Sequence, residues 1–190
     1  GYEDLFIANG IYKDLTDQDY LQYIANESVI QSIISDKGVN YKELIDIIPS
    51  NKVPNHAFKN LGGLSFEEYG ESGLQTPSFS NGSAYGDLDN DGDLDLVVNN
   101  VSMPCFIYEN QGAGGNYLKF HLRGGGQNTF AIGSKIKLRA GEQTWLVENQ
   151  PTRGFQSSVD PAVVVGLGAA TAAEVTITWP DGKVTQLGTV

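Results

Sequence analysis

Cysteine is almost absent from this chain of 190 residues: Cys105 is the single one, so no internal disulfide can brace the fold. A lone thiol of this kind reads as a small buried hydrophobe. No run approaches the roughly 18 apolar residues that a membrane-crossing helix needs, so no membrane span is expected in this chain. No secretory leader is expected within these residues either. The chain starts without methionine in the strand-like "GYEDLFIANG", as expected of a longer precursor whose front end is left off. Basic residues are scarce in the first part: residues 1–115 hold 5 Lys/Arg against 18 Asp/Glu, a charge of −13, whereas residues 116–190 hold 7 against 5, a charge of +2. This asymmetry points to two domains, 1–115 and 116–190. An acidic first part speaks against nucleic acid as a partner, since that affinity comes largely from Lys and Arg neutralising phosphates. What is present is globular in character, with 40% hydrophobic residues, 23 glycines and 7 prolines, and favours turns and strands over long helices.

Internal similarity organises the first part. "DLFIANG" at 4–10 resembles "DLVVNN" at 95–100, and "HAFKNLGG" at 56–63 resembles "CFIYENQG" at 105–112. Two copies of one β unit account for this order, the first lacking its front. Between them, residues 14–49 carry the helical pattern. Thr16 with Asp19, and Asn40 with Glu43, make capping-box-like starts. Tyr20, Leu21, Ile24, Ala25, Ile30, Ile33 and Ile34 follow the first, and Leu44, Ile45, Ile47 and Ile48 the second, at helical spacing. Gly38 separates the two halves and Pro49 ends them. The reading is a helical hairpin inserted into a β framework, its apolar faces packed as core.

"QGAGGN" at 111–116 reads as a linker. Six runs of period-two alternation follow, at 117–123, 134–139, 144–149, 162–166, 174–179 and 183–187. In the fifth, Val175, Ile177 and Trp179 face one way and Thr176 and Thr178 the other. "PDG" at 180–182 is a turn joining the last two strands. Six short strands without helices predict a small all-β sandwich or barrel.

The strongest chemical signal is "YGDLDNDGDLDLVVNN" at 85–100. Crowded carboxylates disfavour one another's ionised form, so a hard cation is the missing partner. Counting from Asp87, Asp89 and Asp91 stand at positions three and five, and Gly92 at six permits a sharp turn. Asp93 at seven can offer its carbonyl, and Asp95 stands at nine. Oxygen-only ligands on a tight turn suit Ca²⁺, whereas Mg²⁺ demands stricter octahedral geometry and Zn²⁺ prefers His and Cys. An EF-hand is excluded, because position twelve is Val98 and the flanks read as strands. With all ligands in one tight loop, the ion is expected to be enclosed and structural.

Strand, D-x-D-x-D-G-x-x-D, strand resembles the FG-GAP or VCBS repeats, the blade units of integrin-like β-propellers, over roughly residues 1–115. The resemblance implies that Asp87, Asp89, Asp91 and Asp95 supply side chains and Asp93 its main-chain oxygen. In the first unit only Asp4 remains, matching Asp95, and the site is missing. Residues 116–190 resemble the ASPIC/UnbV domain, on "NTFAIGSKIKL" at 128–138, "TRGFQSSVDP" at 152–161, "VGLG" at 165–168 and "TWPDGKV" at 178–184. "AVVVGLG" departs from the family pattern in its less polar entry. That domain follows such repeats in the cartilage-acidic-protein-like family of secreted and bacterial surface proteins. The helical insert and "PSNKVPNHAFKN" resemble its bacterial members.

The expected architecture is therefore mainly β, a partial propeller with a helical-hairpin insertion followed by a small all-β domain. A full propeller has about 4–8 blades and this chain about one and a half, so a C-terminal fragment is expected. Its strand edges would be covered by the insert, the second domain or self-association with another copy.

Other motifs are weaker. "VVVGLGAATAAEV" lacks the helix of a dinucleotide fingerprint, and "RGGGQ" at 123–127 reads as a turn. His56 and His121 fall in strands as packed or surface residues. Glu67 and Glu68 are adjacent, so they would point to opposite faces of a strand, and read as a solvated loop. Arg153, with Gly154, Phe155 and Gln156, reads as a structural hydrogen-bonding group. The "N-x-S" sequons at Asn26, Asn81 and Asn100 read as incidental. The leading expectation is a non-catalytic, calcium-binding, extracellular or cell-surface adhesion or scaffold module with a glycan or protein ligand. The alternative is a carbohydrate-active enzyme using Arg153 between the two domains.

Overall fold

In the computed structural model, which describes residues 3–35, 38, 39, 41–112, 114–154 and 157–190, 41% of the chain is strand and 10% helix. The Asp-led run at the N-terminus forms β1 (Leu5–Ile7). Helices α1 (Gln18–Ile24) and α2 (Glu27–Ile33) follow, then a ribbon of β2 (Ile34–Ser35) and β3 (Gly38–Val39), then α3 (Tyr41–Asp46). After them come β4 (His56–Gly62) and β5 (Ser65–Glu68), which form a three-stranded sheet in the order β1-β4-β5. A second three-stranded sheet orders β6 (Ser80–Gly86), β7 (Asp95–Asn100) and β8 (Phe106–Tyr108). The C-terminal strands are β9 (Asn116–Phe120), β10 (Lys135–Ala140), β11 (Gln143–Glu148), β12 (Thr152–Gly154), β13 (Ser157–Ser158), β14 (Val163–Gly168), β15 (Glu174–Thr178) and β16 (Val184–Thr189).

The chain divides into two compact units. One comprises the residues up to Ser83 with Val98–Phe106, the other Ala84–Val97 with Ile107–Val190. The Asp loop, which the sequence places before the linker, belongs to the unit that carries the C-terminal strands.

The helical insert differs from a hairpin of two helices. Asp17 is the first N-cap, its carboxylate accepting from the Tyr20 amide at 2.8 Å, while Thr16 is held back by Asp14 at 2.7 Å. Asn26 then caps a new helix by accepting from the Ser28 amide at 3.0 Å, so one long apolar run is cut into two helices of 7 residues. The second expected start, Asn40, lies outside the described residues. Leu21, Ile30, Ile34 and Ile45 are exposed and, of the apolar residues expected as core here whose burial is described, Ile48 alone is buried. Such short helices present too little continuous face to bury one. The insert closes at its base, where Lys13 Nζ donates to the Ile48 carbonyl at 2.8 Å and the Asp14 amide to the Pro49 carbonyl at 3.0 Å.

The two related β segments share their locks as well as their sequence. Asp4 accepts from the Asn60 amide at 2.8 Å at the end of β4, and Asp95 accepts from the Asn110 amide at 2.9 Å just past β8. Asn9 donates its side-chain amide to the Pro54 carbonyl, and Asn100 donates to the Pro104 carbonyl at 2.7 Å. Between these lies a buried polar chain. Asn55 Nδ2 donates to Ser80 Oγ at 3.0 Å, and Ser80 Oγ donates to Asn100 Oδ1 at 2.8 Å, which leaves Ser78 to donate to Ser80 at 2.7 Å. Gly10 must be glycine here, because a Cβ would stand 2.2 Å from the Ser80 nitrogen.

In the other unit the period-two runs become strands nearly where expected. The four-stranded antiparallel sheet β11-β10-β15-β16 and the pair β14-β9 share one core of Ile136, Leu138, Val163, Val165, Leu167, Ala173, Val175 and Ile177. Trp179 packs at its margin and donates Nε1–H to Thr185 Oγ1 at 2.8 Å across the last hairpin. Gly182, with φ +83°, turns that hairpin and donates its amide to the Trp179 carbonyl. Of the expected sandwich or barrel, a barrel does not close among the described residues: β9 and β14 pair only with each other, so the sheets stay open.

Candidate metal site

The Asp loop connects β6 to β7, so strands flank it as expected. Its turn is built by two residues in the left-handed region, Asn90 at φ +66° and Gly92 at φ +95°. Short Asx links brace it: Asp89 accepts from the Asp91 amide at 3.2 Å and Asp91 from the Asp93 amide at 3.0 Å. This winding brings one oxygen each of Asp87, Asp89 and Asp91 within 4.8 Å of one another. Asp89 and Asp91 are exposed, whereas Asp87 is buried.

The side chains of the other two acids of the expected set accept hydrogen bonds from backbone amides. Asp95 is 3% exposed and divides its oxygens between the Leu88 amide at 2.9 Å and the Asn110 amide at 2.9 Å. Asp93 Oδ2 accepts from the Gly112 amide at 3.0 Å, while its Oδ1 is buried without a hydrogen-bond partner among the described residues. Burial raises the Asp93 carboxyl above its ordinary range. The Gly112 amide lowers it, and the charges of Asp91, Asp95 and Asp89 add to the rise.

A basic partner completes the loop. Lys119 Nζ on β9 donates to Asp87 Oδ2 at 2.8 Å and to Asn90 Oδ1 at 2.9 Å. The Asp87 side chain is 1% exposed and that of Lys119 16%. The Lys119 hydrogen bond holds the Asp87 carboxyl below its ordinary range; burial opposes it, and the Gly92 amide, the Lys119 charge and the Asn90 amide assist. Two residues earlier on the same strand, Tyr117 lies against the turn. A Cβ on Gly92 would stand 2.0 Å from its ring. Sequence reasoning singled out neither Lys119 nor Tyr117; their shared parity on β9, directly after the glycine linker, was the one available signal.

The donor set consists of carboxylates alone, gathered on a tight turn, and it fits a hard divalent cation. Asp87, Asp89 and Asp91 would hold it. A metal there would neutralise charge that Lys119 alone leaves in excess.

The remaining candidates sit apart from this cluster. Arg153 donates Nε–H to the Tyr85 hydroxyl at 2.6 Å, lies over the Tyr85 ring, and donates Nη1–H to the Gln150 and Thr152 carbonyls. Phe155 and Gln156 lie outside the described residues. Glu67 and Glu68 belong to strand β5 rather than a loop, because they pair with Lys59 and Phe58 across the sheet. Glu68 meets His56 Nδ1 at 2.9 Å, and His121 is exposed beyond β9. Cys105 is exposed rather than buried, since it stands just ahead of the short strand β8. Among the sequons, Asn100 is buried with both ends of its amide bonded.

Over 119 residues, 58% of its length, the chain is 30% identical to cartilage acidic protein 1 of Mus musculus and to that of Homo sapiens, covering 18% and 17% of those proteins. Cartilage acidic protein 1 of Xenopus tropicalis is 30% identical over 110 residues, 54% of this chain and 16% of that one. The aligned stretch thus spans less than a fifth of each of these relatives. At the C-terminal end, residues 124–190 match the family described as ASPIC and UnbV.

Proposed function

We propose that this chain is a calcium-binding, non-catalytic β module that serves extracellular or cell-surface interaction. The observation that carries the reading is the gathering of Asp87, Asp89 and Asp91 oxygens within 4.8 Å on one turn between two strands. The resemblance to FG-GAP or VCBS units adds the Asp95 side chain and the Asp93 main-chain oxygen. The repeated locks, Asp4 on Asn60 and Asp95 on Asn110, support two copies of one blade-like unit. In this reading the ion stiffens the turn and the open β surfaces meet a glycan or protein ligand. Arg153, on which a carbohydrate-cleaving reading would rest, spends its guanidinium on Tyr85 and two backbone carbonyls, so binding is preferred to catalysis.

Thermal unfolding after exhaustive chelation, then with added Ca²⁺ or Mg²⁺, tests the site. An ion that binds only the folded state stabilises it by about 2.7 kcal/mol at one hundred times its Kd. For a chain of this size that raises Tm by roughly 5–11 °C. Ca²⁺ is expected to raise the wild-type midpoint and to leave Asp89→Ala unmoved. A wild type that neither ion shifts refutes the site.

A further inference from the structure

The ammonium of Lys119 already supplies positive charge to the Asp loop. It is bonded to Asp87 Oδ2 at 2.8 Å, and Asp87 is one of the three carboxylates whose oxygens converge. Its second anchor, Asn90 Oδ1 at 2.9 Å, belongs to the same turn. The other oxygen of Asp87 is occupied by the Gly92 amide at 3.3 Å. Among the described residues, Lys119 is the one basic side chain bonded to the loop. Both side chains are largely removed from water, so solvent screens this pair little.

We infer that Lys119 is the resident counter-cation of the loop, which a divalent ion must displace from Asp87, so that ion uptake and the hold of β9 on the loop compete. This rests on the reading of the loop as a cation site. Two consequences have opposite signs. Without a divalent ion, Lys119 stabilises the chain by neutralising Asp87 and tying the turn to β9. With one, the ammonium sits beside a like charge on a carboxylate both require, and lowers affinity. A merely structural lysine would instead support both the fold and the ion.

Calcium titration calorimetry on the chelated full chain, combined with thermal unfolding in chelator, separates these roles. Lys119→Met keeps the aliphatic stem and deletes the charge. It is expected to tighten the Ca²⁺ Kd about tenfold or more while lowering the metal-free midpoint, and Lys119→Arg is expected to restore both toward wild type. Asn90→Gly suits the left-handed backbone at φ +66° and removes only the second anchor of the ammonium, so it should tighten Kd by a smaller factor even where Lys119→Met folds poorly. Wild-type uptake that Lys119→Met leaves unchanged or weakens, with Asn90→Gly no tighter, overturns this inference alone. Absence of Ca²⁺ uptake by wild type and variants alike overturns the site reading and the inference with it.

Discussion

Gly92 carries two demands at once. Its φ of +95° lies where side chains are strained, and a Cβ would stand 2.0 Å from the Tyr117 ring. Gly92→Ala is therefore expected to cost about 1–3 kcal/mol, read from chemical denaturation in chelator. Adding Tyr117→Ala relieves the collision but not the backbone strain, so the double variant should lose less than the sum of the singles; strict additivity would refute the contact. Gly92 was legible from its place in the loop pattern, because a turn announces its glycine locally. Tyr117 was not, being 25 residues away in sequence and joined only by folding. Asn149 was equally hidden. It is buried and donates its side-chain amide to the Phe130 carbonyl at 2.7 Å, yet nothing in "LVENQP" marks it.

The strand-end aspartates are locks for their elements. Asp95 begins β7, is buried, and satisfies two backbone amides, while Asp4 precedes β1, is exposed, and satisfies one. Removing Asp95 takes the acceptor from two backbone donors in part-buried bonds, each at about 1–3 kcal/mol. Asp95→Ala is accordingly expected to cost about 2–6 kcal/mol even in chelator, and Asp4→Ala less. Equal midpoints for the two variants would refute the assignment of Asp95 as a structural lock. The strands of the C-terminal part were readable because a buried face imposes period two: Ile136 and Leu138 on β10, and Val175 and Ile177 on β15, alternate with exposed or half-buried neighbours. The helical insert was readable only as helical. Its division at Asn26 is a capping decision by one side chain, and which of its apolar residues are buried depends on partners that periodicity does not name.

For the whole molecule, acid is the informative variable, since 23 Asp and Glu stand against 12 Lys and Arg. Asp87, lowered below its ordinary value of 3.8 chiefly by the Lys119 hydrogen bond, contributes stability that is present above that value and lost as pH falls through its folded pKa. Asp93, raised chiefly by burial, does the reverse: its ionisation opposes folding at neutral pH, and that opposition is relieved as pH falls through its raised value toward 3.8. In chelator, the thermal midpoint at pH 5 should therefore equal or exceed that at pH 7, and fall only below about pH 3.8. A steady decline from pH 7 to pH 5 would refute this balance. The sequence alone determined the mainly β character, the repeated Asp-led segments, the last hairpin and the acidic turn with its glycine. All of these are written in neighbouring residues through alternation, turn chemistry and like-charge crowding. Only the tertiary structure decided which three carboxylates converge, that Asp95 serves backbone amides, and that a lysine 32 residues from Asp87 supplies the loop's counter-charge. Those outcomes depend on which strand lies beside the turn, a distance in space that no local pattern encodes.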